Sequence, residues 1–454
     1  MAILILDSSH LSSIDTGQSW LYLLLNLLIL FSVLGFTIFT LTGHRPVYLV
    51  DFSCYRSPSM HCLKMTLDNF IEHTKHAGVF NDSSLEFQHK ILKRSGISDE
   101  TIAPRALVMG FPPQSSMTMA REEAKDVIFN ALDKLFSNNN IDVKPYDIDI
   151  HVINGGTFSP SPSLSSMIVN KYKMKSNIKW FNLSGMGCSS GVIAIDLANN
   201  MLQAHKNSYA IVVTTENITN NWYLGNKKQM LIPNCLFRVG GAAVLLSNWN
   251  SDRQQSKYKL VHLVRTHTGA NDTAFGCICK EEDEVGITDI SLSKDVAAMA
   301  GDALTKNITT LGPLVLPLHE LLRFIAMFIA KKLFNPRMES YIPNFKLAFK
   351  HFCIHTGERA VHDKLEEKLR LSARDMEASR MTLRRFGNTS SSSIWYEMAY
   401  LESKGRVLKG DYVWQIALGS GFKCNSAVWV ALNNIKPFPN NPWEDCIFRY
   451  PTTD

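Results

Sequence analysis

Gly185-Met186-Gly187-Cys188-Ser189-Ser190-Gly191 lies between the short apolar run Ile178–Leu183 and a stretch, Val192–Leu202, that is nearly all apolar or small. The order reads as strand, glycine-rich turn and buried helix. A helix start presents unsatisfied N–H groups and a partial positive charge, which favour thiolate over thiol. Gly185, Gly187 and Gly191 permit a sharp turn and a close approach of substrate. Cys188 is thus placed as in a nucleophile elbow, with Cys in place of Ser. A buried structural cysteine has the same local pattern, so the turn alone leaves both readings open.

The flanking segments are α/β in character. Asp147–Asn154 reads as a buried strand, Ser159–Ser166 as a Pro/Ser loop and Leu164–Lys173 as a helix. Tyr209–Thr215 carries no charge, as expected of a strand covered on both faces. Farther on the order recurs: strand Phe352–His355, a turn at Phe386-Gly387-Asn388 with serines after it, helix Ile394–Glu402, strand Asp411–Leu418. Phe237–Val244 also echoes Phe422–Trp429. Two α/β halves of similar topology, packed face to face around one core, follow from this. The division falls in the polar stretch near residues 250–285 and is placed between 275 and 276. Upstream, Asp51–Lys134 reads as mostly helical, with helices at Thr66–Ala77 and Glu122–Phe136.

A nucleophile needs partners. His355 ends its strand beside Thr356-Gly357, and Asn388 sits in a turn at a helix start. Both positions suit groups that converge on Cys188 at a pseudo-twofold axis. Gly419-Ser420-Gly421 follows an apolar strand; its N–H groups, with that of Cys188, can hold an oxyanion. A tight hairpin fits the same three residues. Neither a P-loop, a dinucleotide-binding glycine motif, HExxH nor GxSxG occurs, so no metal and no nucleotide cofactor is expected.

The chain has 454 residues, 45 % of them hydrophobic and 19 % charged, which excludes wholesale disorder. The net charge of +6 is spread without a dense basic block, so no nucleic-acid partner is expected. It suits an anionic membrane face or an anionic substrate. The nine cysteines form no framework, and Cys277 and Cys279 are too close for the usual zinc spacing. Reduced thiols and a cytosolic body follow.

Trp20–Leu41 is long and apolar enough to cross a bilayer, with Trp20 and Tyr22 at the interface. No Lys or Arg precedes it, which argues against a cleaved signal. Arg45, Arg56 and Lys64 follow it, so the positive-inside rule puts the body in the cytosol. The sequons at Asn182, Asn217, Asn271, Asn307 and Asn388 are then without consequence. Residues 1–19 form a short tail, 20–42 the transmembrane helix, 43–275 the first half and 276–454 the second. A further apolar stretch, Leu311–Phe334, is broken by Pro313, Pro317, Glu320, Arg323 and a Lys pair. From Leu318 it reads as an amphipathic helix on the membrane or over an apolar tunnel, or as a core helix.

Long runs resemble the plant 3-ketoacyl-CoA synthases, the condensing enzymes of very-long-chain fatty acid elongation. They include Pro46–Phe52, Pro162–Ile168, Asn182–Asp196, Thr215–Thr219, Ile232–Leu246, Val264–His267 and Arg385–Trp395. The resemblance implies a thiolase-like fold, layered α-β-α-β-α, with a Cys-His-Asn triad. Cys188 would take the acyl chain of a long-chain acyl-CoA as a thioester. Malonyl-CoA would lose CO2, and His355 and Asn388 would hold its enolate as it attacks. His267 and His351 match family histidines and take supporting roles. Coenzyme A thioesters are substrates; no resident cofactor is implied. A homodimer at the endoplasmic reticulum membrane is implied, beside a ketoacyl reductase, a dehydratase and an enoyl reductase. The chain departs from the family pattern at Gly155-Gly156, at Gly357-Glu358 and at Arg384. The departures leave a second reading, a non-catalytic subunit of the elongation complex.

Overall fold

The charge-free run Tyr209–Thr215 is a strand whose residues alternate between two separate apolar layers. The structure, a computed structural model, describes residues 25–30, 32, 44–57, 64–108, 116–138, 141–333, 341–438 and 441–452. In the first half the strands are β1 (Tyr48–Cys54), β2 (Ile148–Asn154), β3 (Lys179–Leu183), β4 (Tyr209–Thr215) and β5 (Gly241–Ser247). Then come β6 (Tyr258–His267), β7 (Ile278–Glu282), β8 (Thr288–Leu292), β9 (His351–Ile354), β10 (Tyr412–Gly419) and β11 (Lys423–Ala431).

Nine strands join in the order β3-β2-β4-β5-β1-β6-β11-β10-β9. β1 and β6 meet only at Tyr48–Lys259 and Leu49–Tyr258, so two half-sheets share one corner. In the first, β2 and β4 are parallel, β5 runs against them and β1 runs against β5. In the second, β9 and β10 are parallel, and β11 and β6 repeat the reversal. The echo between Phe237–Val244 and Phe422–Trp429 falls on β5 and β11. The duplicated topology is therefore real, although the sequence likeness is short.

Alternation along the strands builds the layers. Ala210 and Val212 of β4 face a central core, with Ala242 and Val244 of β5 and Val413 and Ala417 of β10. The helices Ser190–Ala204 and Ser393–Ser403 fill that core with Val192, Ile195, Ile394, Trp395 and Met398. Ile211 and Val213 point the other way, onto the helix Met117–Phe136. Trp414, Ile416 and Leu418 point onto the helices Val296–Val315 and Arg359–Leu369. Helix, sheet, helices, sheet and helices follow one another, the layered α/β arrangement that the resemblance implies.

Met1–Arg45 and Pro46–Asp454 are separate compact units, and the halves divided near residue 275 lie within the second. Most of the expected transmembrane helix lies outside the described residues. Residues 25–30 are helical, with Leu25, Leu27, Leu28, Ile29 and Leu30 exposed. Among the described residues no helix is long and apolar enough to cross a membrane.

Three expectations change. The segment Asp51–Lys134 does not begin as helix: Asp51 lies inside β1, at an irregularity in its pairing with β5. The polar stretch 250–285 is not a simple boundary, because β6 runs through it and β7 pairs with β8 in a hairpin. The stretch from Leu318 is not a core helix. Leu318–Leu333 exposes Leu318, Leu322, Ile325, Phe328, Ile329 and Leu333. Leu321, Phe324 and Met327 turn inward to cover a cavity of about 370 Å3.

Candidate active site

The glycines around Cys188 are demanded by backbone conformation at Gly185 and by space at Gly187 and Gly191. Gly185 and Gly187 have φ of 68° and 67°, where glycine alone is at ease. A Cβ on Gly187 would stand 2.6 Å from the backbone N of Ser420, and one on Gly191 would stand 2.4 Å from the carbonyl oxygen of Ser391. The starts of the two central helical segments thus approach backbone to backbone, one from each half of the fold.

Cys188 is half-buried at this junction. Burial pushes its thiol up to about 12; the Ser390 hydroxyl pulls it down and the Glu216 charge pushes it further up. Burial thus opposes the thiolate that the helix start favours, and it acts toward the thiol.

His355, directly after β9, is buried, and its backbone N–H donates to the Ile416 carbonyl on β10 at 2.9 Å. Nδ1 and the Ser393 hydroxyl are 2.8 Å apart. Burial, then the neighbouring His362, push the imidazole down to about 3, so it is neutral near pH 7. Asn388 donates from Nδ2 to the Gly357 carbonyl at 3.0 Å and accepts at Oδ1 from the Ser390 N–H at 2.8 Å. Its backbone is fixed across the halves: its N–H donates to the Leu236 carbonyl, and its carbonyl accepts from the Arg238 N–H.

Cys188, His355 and Asn388 line one cleft of about 200 Å3. Gly419 and Ser420 line it too, and a Cβ on Gly419 would stand 3.0 Å from the Cys188 backbone N. The Gly419–Gly421 segment is the β10–β11 hairpin turn, the tight-hairpin reading of that sequence, and it brings Gly419 and Ser420 to the cleft wall. Gly421 is outside the cleft lining and lies against His267.

The supporting histidines do not reach the cleft. His267 stands behind the hairpin, where its Nδ1 accepts from the Gly269 N–H at 3.0 Å. His351 starts β9, four residues before His355, and its Nε2 is 3.0 Å from Asp411 Oδ2. Both hold secondary structure in place.

The rest of the wall is largely apolar: Phe237, Leu292, Val296, Val361, Leu418 and Phe422. The β7–β8 hairpin contributes Ile278, Cys279, Lys280 and Ile290, which the polar look of this stretch concealed. Two carboxyl groups also face the cleft. Glu358 is pushed up by burial. Glu216, at the end of β4, is pushed up to about 7 by burial, with hydrogen bonds from Thr157 and Ser390 opposing. Glu216 and Ser390 stand inside runs quoted above, yet neither was read as part of the site. The available signal was a lone acid directly after a strand with no charge.

The departure at Gly155-Gly156 proves to be part of this construction. Gly156 has φ of 63°, and a Cβ there would stand 2.0 Å from Glu216 Oε1. Gly155 is closed in by Leu164 in the same way. Gly156 leaves room for the Glu216 carboxyl, and Gly155 leaves room for Leu164 and the Phe158 carbonyl.

Residues 39–333 match the family described as FAE1/type III polyketide synthase-like protein. Residues 348–431 match the C-terminal part of 3-oxoacyl-[acyl-carrier-protein] synthase III. The Arabidopsis thaliana protein "3-ketoacyl-CoA synthase 9" is 59 % identical, over 99 % of this chain and 88 % of its own length. The chain belongs to the 3-ketoacyl-CoA synthase family. Another Arabidopsis 3-ketoacyl-CoA synthase, number 4, is also 59 % identical, with 99 % of this chain and 87 % of its own length aligned. The fold is that of type III polyketide synthases. The 1,3,6,8-tetrahydroxynaphthalene synthase of Streptomyces coelicolor superposes with a TM-score of 0.65 at 17 % identity, covering 85 % of this chain and 99 % of its own. This member of the 3-ketoacyl-CoA synthase family thus has a thiolase-like frame with a cysteine, a histidine and an asparagine at one cleft.

Proposed function

We propose that the chain is a 3-oxoacyl-CoA synthase that condenses a long-chain acyl-CoA with malonyl-CoA, the first step of very-long-chain fatty acid elongation. The reading is carried by the convergence of Cys188, His355 and Asn388 on one apolar cleft, in a chain 59 % identical to "3-ketoacyl-CoA synthase 9".

Cys188 attacks the acyl-CoA thioester, and the Cys188 and Ser420 N–H groups hold the oxyanion that forms. A single such donor is worth roughly 10²–10³ in rate. After CoA leaves, malonyl-CoA enters and loses CO2. The loss of CO2 itself creates the carbanion, so the site needs aligned donors and no strong base. His355, held neutral, and Asn388 donate to the thioester oxygen of the enolate. The enolate carbon attacks the acyl-Cys188 carbonyl and the thiolate leaves. The apolar lining excludes water from the acyl intermediate.

The substrates are anionic, and Lys280 at the rim with Lys423 beside the Gly421 hairpin offers positive charge for their phosphates. A membrane setting is supported by the apolar sequence Trp20–Leu41 and by the exposed apolar face of Leu318–Leu333, which ends in Lys331 and Lys332. The catalytic body then faces the cytosol at the endoplasmic reticulum. Asn217, Asn307 and Asn388 are buried, so a glycan on them would not fit this fold. β3 is a sheet edge that exposes Trp180, which suits a homodimer. The reductases and dehydratase of the elongation cycle are the partners its product requires.

Expression in a yeast elongase mutant, followed by acyl-length profiling, tests the reading. New very-long-chain acyl species are expected from the wild type and absent with Cys188→Ala.

A further inference from the structure

Ser390 stands between two groups that the scheme above leaves unconnected. Its Oγ is 3.4 Å from Cys188 Sγ and 3.0 Å from Glu216 Oε2. A hydroxyl has one proton to give and lone pairs to accept with. Ser390 can donate to the sulfur or to the carboxylate, one at a time; when its proton goes to Glu216, its lone pair is left to accept from the thiol, and the path then runs thiol, hydroxyl, carboxyl.

The arrangement is held from every side. Ser390 is fully buried at a φ of 53°, and its N–H is tied to Asn388 Oδ1. Glu216 is buried, and Oε1 accepts from the Thr157 N–H at 3.1 Å. The glycine backbone at 156 closes over the carboxyl. Among the described residues no ion pair reaches Glu216. A buried carboxyl without a cation is costly to keep ionised. Burial brings Glu216 to about 7, where gain and loss of a proton are both easy. His355 is a poor store for a proton, since burial and His362 hold it neutral.

We propose that Ser390 and Glu216 form a proton relay that takes the Cys188 proton during acyl loading, stores it through decarboxylation and returns it to the released thiolate. The inference rests on the condensing reading above. In loading, the Cys188 S–C bond forms, the S–C bond of acyl-CoA breaks and CoA leaves as thiolate. The thiol proton passes to Ser390 Oγ as the Ser390 proton passes to Glu216. In condensation, malonyl-CoA gives CO2 and an enolate, the C–C bond forms and Cys188 leaves as thiolate. Glu216 then returns its proton through Ser390. The sum is acyl-CoA and malonyl-CoA to 3-oxoacyl-CoA, CO2 and a CoA thiolate that takes its proton from water. Ser390 touches the reacting sulfur and is a catalytic residue; Glu216 acts through it.

The test is single-turnover release of CoA from palmitoyl-CoA, without malonyl-CoA, by the full chain across about pH 6 to 9. Wild-type loading is expected to rise as the Glu216 carboxyl ionises, near 7. Glu216→Gln is expected to load about 10²-fold more slowly and to lose that pH step, the scale of general-base assistance. Ser390→Ala should do the same, and the double variant should be no slower than either. Wild-type rates in Glu216→Gln, or a slower rate that keeps the pH step, would overturn the relay. If Glu216→Gln does not fold by thermal melting, Ser390→Ala decides alone by the same criterion. Absence of loading in the wild type would overturn the condensing reading, and the relay with it.

Discussion

A Cβ on Gly191 would stand 2.4 Å from the carbonyl oxygen of Ser391, which brings together the turn that carries Cys188 and the turn that carries Asn388. Neither backbone has room to retreat, since both turns lead into helices filled from the central core. Gly191→Ala is expected to destabilise by about 1–3 kcal/mol, the usual range for overpacking, and to depress condensation. A lower melting temperature with reduced turnover is the expected pair of results. Unchanged values for both would show that the two turns are not locked together.

The oxyanion site makes a separate prediction. A Cβ on Gly187 would stand 2.5 Å from Ser420 Oγ and 2.6 Å from its backbone N. Gly187→Ala should displace the Ser420 N–H from the cleft and lower kcat by roughly 10²–10³, as loss of one such donor does. Long-chain acyl-CoA binding should change little. An unaltered kcat would remove Ser420 from the site.

Acid should unfold the protein through its histidines. Burial pushes His151 and His362 down to about 4 and His355 to about 3, from an ordinary 6.5. Such groups bind fewer protons folded than unfolded, so stability is lost as pH falls from 6.5 toward these values. Glu123 and Glu216, raised from 4.5 to about 7, act in the opposite sense and favour the folded state as pH falls from 7 to 4.5. Below 4.5 the carboxyls no longer offset the histidines, and the loss should steepen. His151 has both ring nitrogens unpaired in the core. His151→Phe is expected to shrink the difference in urea midpoint between about pH 7 and pH 4.5; an unchanged difference would contradict its titration.

The exposed face of Leu318–Leu333 should bind lipid. A chain beginning at Pro46, a compact unit in itself, is expected to sediment with anionic vesicles. Leu322→Glu with Ile329→Glu replaces two of its exposed apolar side chains. The double variant should bind at least about tenfold more weakly, since each buried leucine-sized side chain contributes roughly 1.5–3 kcal/mol. Equal sedimentation would assign the face elsewhere.

The parts of the fold legible in the sequence were those with uniform environments. Tyr209–Thr215 carries no charge because both its faces are covered, and its bounds agree with β4 residue for residue. β1 was concealed by Asp51, which is buried with Lys257 2.7 Å away, a long-range pairing that no local pattern announces. β6 and β7 mix charged and apolar residues within the stretch 250–285 where the division was placed, although Ile278, Cys279 and Lys280 of β7 wall the cleft. The positions of Cys188, His355 and Asn388 at element ends were legible; their protonation was not. Helix-start electrostatics pointed to a thiolate at Cys188, whereas burial, which only the packed fold reveals, favours the thiol. Glu216 was missed for the same reason: its importance lies in its contacts with Ser390 and Gly156.

The central claim is that the acyl chain passes through Cys188. Intact-mass analysis of the protein after a long-chain acyl-CoA alone, and again after malonyl-CoA, tests it most directly. One acyl group on Cys188 is expected, discharged by malonyl-CoA as 3-oxoacyl-CoA, with neither adduct nor product from Cys188→Ala. Equal product from wild type and Cys188→Ala would contradict the account.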